Sequence, residues 1–192
     1  MKQKRINKLI LASGSPRRKD LLSTLHIPFE VIVSDIDEYI DYNNDLASEI
    51  EKLSFQKAKA VFDDHQDSIV IGSDTIVILD DKVLGKPKDY DEARTMLKAL
   101  QNNTHKVLTA VTIMSKDNIE TFHEIVEVTF NEMSEEEIEE YIKTNEPLDK
   151  AGSYAIQGDA AKYIKCINGD YNSVIGLPLS EVYKRLKKFM PM

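Results

Sequence analysis

The chain has 192 residues, 42% of them apolar and 30% charged, a balance that excludes collagen-like, disordered and membrane-bundle classes and suits one domain with a core of its own. Against 25 Lys and Arg stand 33 Asp and Glu, a net charge of −8, so the molecule is a poor general binder of nucleic acid polymers or anionic membranes. Its one cysteine, Cys166, allows no internal disulfide and fits a reducing compartment.

The first basic residues, 1–5, precede a short apolar stretch, residues 9–12. A secretory core needs about 7–15 apolar residues. The segment therefore reads as a strand, not a signal peptide, and the chain as soluble and cytoplasmic. Residues 8–13 are that first strand. Ser15 is placed to cap a helix opened by Pro16 and running to about His26. Residues 29–34 are β-branched and apolar, a second strand. Leu46, Ile50, Leu53, Lys57, Ala60 and Val61 recur at the spacing of a long helix over 46–63. Residues 68–72 are wholly apolar, as in a strand buried on both faces, and precede an expected turn.

Residues 76–79 and 83–84 flank Asp80-Asp81-Lys82, a hairpin signal. Residues 90–100 read as a helix capped by Asp89. Residues 106–115 and 119–130 read as long strands joined by Lys116-Asp117-Asn118. Ser134 and Glu137 form a capping box for a helix ending near Lys143. Residues 161–167 read as a strand, Asn168-Gly169-Asp170 as a turn and 179–189 as a closing helix. Together these make an α/β fold on a mixed sheet, one domain over 1–192, with strand order left open.

Five segments carry candidate chemistry. Ser13-Gly14-Ser15-Pro16-Arg17-Arg18 joins a strand to a helix N-terminus. Free amides, two hydroxyls and two guanidinium groups there suit a phosphate ester, although the Gly-Lys-Ser/Thr ending of a Walker loop is missing. Asp74 of Ser73-Asp74-Thr75 is expected at the carboxyl end of the strand 68–72, where α/β sheets gather ligands. It reads as a metal ligand, a general base or the cap of a tight turn. Lys86, between Gly85 and Pro87, offers a point charge to a phosphate or is a solvated turn residue. The loop Ser34-Asp35-Ile36-Asp37-Glu38 supplies acids that can share one cation with Asp74, or is a solvated loop. Residues 149–158 are glycine-containing and without helical period, the composition of a loop that closes over a ligand. Its Gln157 has a donor and an acceptor for a base edge. His26, His65, His105 and His123 have no metal-ligand spacing, and Cys166, among apolar residues, is expected in the core.

The blocks LILASGSPRRKDLL, EKLSFQKAKAV, IVIGSDTIV, LGKPKD, EPLDKAGSYAIQG and INGDYNSVIGLPL, in this order, resemble the Maf family of nucleoside triphosphate pyrophosphatases. The resemblance runs from Leu9 to about Leu186. It implies an elongated mixed sheet flanked by helices, with two lobes around a central cleft, in a cytoplasmic homodimer. It implies hydrolysis of a nucleoside triphosphate between the α and β phosphates, with a divalent cation, Mg²⁺ or Mn²⁺. Carried over residue by residue, it makes Asp74 the catalytic acid/base and metal residue and Glu38 the second acid. Ser13, Arg17, Arg18, Lys57 and Lys86 become substrate-binding. The branch acting on dTTP and UTP has Arg, Thr and Gln where this chain has Arg17, Thr75 and Gln157. A 7-methyl-GTP branch has a tryptophan, and this chain has none. Two other functions are compatible with the family: a non-enzymatic nucleotide-binding regulator of septum formation, and a pyrophosphatase of inosine or xanthosine triphosphate.

Overall fold

Strand β1 (Lys8–Leu11) lies between two parallel neighbours, β2 (Phe29–Val31) and β3 (Ser68–Leu79), with Leu11 opposite both Val31 and Ile71. The computed structural model describes residues 8–190, so the basic residues 1–5 lie outside the described residues. Within that span the sheet has seven strands in the order β2-β1-β3-β5-β6-β7, and β4 (Lys82–Leu84) pairs antiparallel with β3. Here β5 is Thr104–Met114, β6 is Ile119–Phe130 and β7 is Ile164–Asn168, the last antiparallel to β6. The helices are α1 (Pro16–Ser23), α2 (Leu46–Phe62), α3 (Tyr90–Leu100), α4 (Glu135–Lys143), α5 (Tyr171–Ile175) and α6 (Leu179–Phe189). The fold is α/β with a mixed sheet, as expected. No helix among the described residues is long and apolar enough to cross a membrane.

Local chemistry explains the helix starts. Ser15, Asp45, Asp89 and Ser134 each accept from the amide three residues on, satisfying a donor that the first turn leaves open. Glu137 returns the bond to the Ser134 amide at 2.8 Å, completing the capping box. In the β3–β4 hairpin, Asp80 and Asp81 take φ of 48° and 61°, the paired left-handed conformation of a two-residue turn, which aspartate tolerates.

The chain divides into two compact units. One takes the chain through Asp74 with Thr109–His123 and the segment from Gly176 onward; the other takes Thr75–Leu108 and Glu124–Ile175. In the first, Ile10, Ala12, Ala58, Val61, Val70 and Met114 form a buried apolar cluster between α2 and the sheet. Gly72 lets α2 come down onto β3. A Cβ there would stand 2.4 Å from the Ser54 carbonyl oxygen and 2.6 Å from the Ala58 amide nitrogen. Ser54 also bonds Thr112 at 2.9 Å, and Thr112 bonds Thr121 at 2.9 Å, so buried hydroxyls tie α2 to β5 and β6.

Several sequence expectations are corrected. No turn interrupts 68–79; β3 runs through Ser73, Asp74 and Thr75. Turn-forming residues can continue a ladder when their polar groups find distant partners. The Ser73 hydroxyl donates to the Gly176 carbonyl at 3.0 Å, and Asp74 meets Lys57. Asp74 therefore sits inside a long strand, not at a strand end. Strand β2 is only three residues long, because it is an edge that pairs with β1 alone. Residues 159–163 form a 3-10 turn before β7 starts at Ile164, and the short helix α5 follows the Asn168-Gly169-Asp170 turn. Cys166 is exposed, not core: it lies on β7, an edge strand that pairs only with β6.

A Gly72→Ala substitution is expected to push backbone against backbone and cost about 1–3 kcal/mol or more. For a protein of this size that is a fall of several degrees in Tm, on the order of 2–4 °C per kcal/mol. Thermal unfolding followed by circular dichroism measures it, and an unchanged Tm would contradict the close approach.

Candidate active site

The first unit gathers charge at one place. Lys57, on α2 and only 7% exposed, directs its Nζ at two carboxylates. Asp74 Oδ1 lies 2.5 Å away and Glu38 Oε1 2.7 Å away. The period of the strand puts Asp74 on the same face of β3 as Gly72, so the close approach of α2 at Gly72 is what brings the lysine within reach. Glu38 arrives on the loop before α2. That loop is tied down by Glu49, a buried carboxylate that accepts from the Asp41 amide at 3.3 Å and from the Asn44 side chain at 3.2 Å.

The β1–α1 junction supplies the positive side. Ser13 is buried, and its hydroxyl oxygen accepts from the Ser15 amide and from Arg18 Nη1, both at 3.2 Å. Arg18 Nε donates to the Gly176 carbonyl at 2.8 Å, the same oxygen that accepts from Ser73. Burial pulls Arg18 below the ordinary arginine value, while Asp74 raises it, Arg17 lowers it and Glu38 raises it. Arg18 therefore lies within electrostatic reach of both acids and of Arg17. Arg17 differs from Arg18 in one respect: its Nε is buried without a hydrogen-bond partner, an unsatisfied donor at a helix N-terminus.

Glu38 and Asp74 are hard oxygen donors that converge on one nitrogen, so the pair fits a small divalent cation at that point. Among the described residues no group of three or more His, Cys, Asp or Glu side chains forms a complete metal cage. Two carboxylates with the remaining positions open is the pattern of a cation completed by substrate oxygens.

The second unit holds the other sequence candidates. Thr75 follows Asp74 on β3 and is half-buried, while Lys86 and Gln157 are exposed. The Gly85 carbonyl accepts from the Gly152 amide at 3.1 Å, which links the Lys86 loop to the 149–158 segment. Gly152 needs its lack of a side chain: its φ is +68° and a Cβ would meet Val77 at 2.9 Å. Beneath that segment Tyr154 bonds His105 Nε2 at 2.8 Å, with both rings packed on Phe130.

Several residues of the site escaped the sequence. Ser73 and Gly176 are joined only by the fold, 103 positions apart. Glu49 looks like one more acid on a helix. Its signal is weak but real: it lies one position before Ile50 on the apolar face, where a charged residue needs a partner.

Comparison with known proteins matches the Maf-like protein family over residues 8–189. A dTTP/UTP pyrophosphatase of Bacillus cytotoxicus is 53% identical over 184 residues, 96% of each chain. Proteins of the same name from Bacillus cereus and Bacillus anthracis are each 49% identical, again over 96% of each chain.

Lys57→Met is expected to leave two carboxylates facing each other, Asp74 among them buried, at a cost of about 3 kcal/mol. Glu38→Gln removes a carboxylate whose side chain is 56% exposed and stays within about 1 kcal/mol. Urea denaturation of both variants checks the contrast; equal effects would contradict the burial assigned to the pair. Burial also lowers His105 to about 4, against about 6.5 in an unfolded chain. The unfolded state then holds more protons between these values, so this stability is present above pH 6.5 and is lost as pH falls toward 4. Between pH 7 and 4.5 the protein should lose about 2 kcal/mol more than His105→Gln does. Parallel losses would refute it.

Proposed function

The chain belongs to the Maf-like protein family, and from that premise we propose that it is a pyrophosphatase hydrolysing dTTP and UTP at the α–β anhydride, to the monophosphate and pyrophosphate. The single observation that carries this reading is the Lys57 ammonium held between Asp74 and Glu38, with Arg17 and Arg18 at the adjoining helix N-terminus. Three cations against two carboxylates make a locally positive place on a protein of net charge −8, as a polyanionic substrate requires. Relatives about half identical over nearly their whole length carry the dTTP/UTP name, which supports the substrate class.

Glu38 and Asp74 would hold the divalent cation, Mg²⁺ or Mn²⁺. When bound, such an ion polarises the phosphoryl group and makes water more acidic. Asp74 takes the proton of the attacking water as that water adds to phosphorus and the bond to the bridging oxygen breaks. Pyrophosphate leaves. Arg17 and Arg18 neutralise the phosphate oxygens with charge-assisted hydrogen bonds, each contributing about 1.5–3 kcal/mol net. The unpartnered Nε of Arg17 is a ready donor for one of them. Ser13 holds Arg18 in place. On the family resemblance alone, Lys86 is substrate-binding and Arg17, Thr75 and Gln157 mark the dTTP/UTP branch; the Gln157 amide can accept from N3–H and donate to O4 of uracil or thymine. A homodimer in the cytoplasm completes the proposal, on the family resemblance alone.

The test incubates the protein with UTP, dTTP, CTP, ATP and 7-methyl-GTP with Mg²⁺ or Mn²⁺, and measures pyrophosphate and orthophosphate separately. UTP and dTTP should give pyrophosphate at the highest kcat/KM, and Asp74→Asn should lower kcat by at least about 10²-fold. Orthophosphate as the sole inorganic product, or full activity in Asp74→Asn, would overturn the proposal.

A further inference from the structure

Gln157 sits at the second central position of a tight turn closed by the Gly158 amide on the Ala155 carbonyl at 3.0 Å. The side chain is exposed, so nothing on its own segment fixes where its amide points. The ends of the turn, however, are held from below. Tyr141, buried on α4, accepts from the Ala155 amide at 3.2 Å and donates to Glu146 Oε1 at 2.6 Å. Glu146 Oε2 accepts from the Asp159 amide at 3.2 Å. Two side chains thus bracket the turn, one backbone amide on either side of Gln157. Gly158 leaves the room: a Cβ there would fall 1.9 Å from Glu146 Oε2.

The bracket stands on a stiff base. The Tyr90 hydroxyl donates to Asn145 at 2.7 Å, fixing the residue before Glu146, and Arg94 of α3 pairs with Glu139 of α4. Burial and the Glu146 contact both keep the Tyr141 hydroxyl protonated, so it stays a donor.

We infer that Tyr141 and Glu146 are positioning residues: by gripping the turn at Ala155 and Asp159 they aim Gln157, and so set the preference among pyrimidine triphosphates. This rests on the dTTP/UTP reading above. The chemistry requires such a device. A glutamine amide can present acceptor and donor to uracil or, turned over, donor and acceptor to cytosine. That flip turns about the last side-chain bond; what the held backbone sets is the distance and direction from which the amide meets the base edge, and a displaced amide pairs poorly with either face.

The experiment measures kcat and KM for UTP and CTP in the wild type, Tyr141→Phe, Glu146→Gln and Gly158→Ala, each checked by Tm. Tyr141→Phe and Glu146→Gln keep the side-chain volume, and Gly158→Ala displaces the Glu146 carboxylate without removing it. All three are expected to raise the KM for UTP and to narrow the UTP-over-CTP ratio of kcat/KM about tenfold, with kcat for UTP within about threefold. A merely structural role would lower Tm and active fraction and leave that ratio alone. Wild-type discrimination in the variants that fold overturns the inference while the function stands. A wild type that cleaves neither UTP nor dTTP overturns the function, and the inference with it.

Discussion

One ammonium group organises the first unit. Lys57 reaches two carboxylates that come from different parts of the chain, one in the middle of β3 and one on the loop before α2. Without it, Asp74 and Glu38 would repel across a partly dry space, where charge is poorly screened. With it, the two acids are held within reach of one point, which is the arrangement a divalent cation asks for. The contact in turn depends on backbone packing. It forms because α2 rests on β3 at a glycine, and any side chain at Gly72 would lift the helix and its lysine away.

The positive groups beside this trio are arranged with equal economy. The Gly176 carbonyl accepts from both Arg18 and Ser73, so a single backbone oxygen steadies a guanidinium and satisfies a hydroxyl inside the sheet. Ser13 steadies the same guanidinium from the other side. Arg18 is thereby held, whereas Arg17 keeps a buried donor without a partner. The pair divides into a fixed cation and an open one, and an anion arriving at the α1 N-terminus would find both charge and an unused hydrogen bond.

In the second unit, hydrogen bonds of buried tyrosines hold the segment that carries Gln157. Its 149–158 segment is built on tyrosines: Tyr154 on His105, and Tyr141 on Glu146. Burial keeps His105 uncharged near neutral pH, and burial likewise keeps both tyrosines protonated. The Tyr154–His105 bond therefore does not change with small shifts of pH around neutrality.

Much of the fold was open to reading from the chain alone, because it rests on local chemistry. Caps at Ser15, Asp89 and Ser134 mark helix starts through bonds to amides three residues away, and alternating or periodic apolar residues mark strands and helices. Asp74, Lys86, Gln157 and the block at residues 13–18 stand out as residue types in short blocks, whereas Lys57 looks like one more position of the α2 period and becomes a site candidate only through the family resemblance. What local pattern could not supply was partnership. Ser73-Asp74-Thr75 looks like a turn until Gly176 and Lys57 satisfy it from afar, and Cys166 looks like core until β7 proves to be an edge. Strand order, the meeting of Glu38 with Asp74 and the grip of Tyr141 and Glu146 on the Gln157 turn were all decided by tertiary structure. Each is an interaction between residues whose spacing in sequence carries no information about their distance in space.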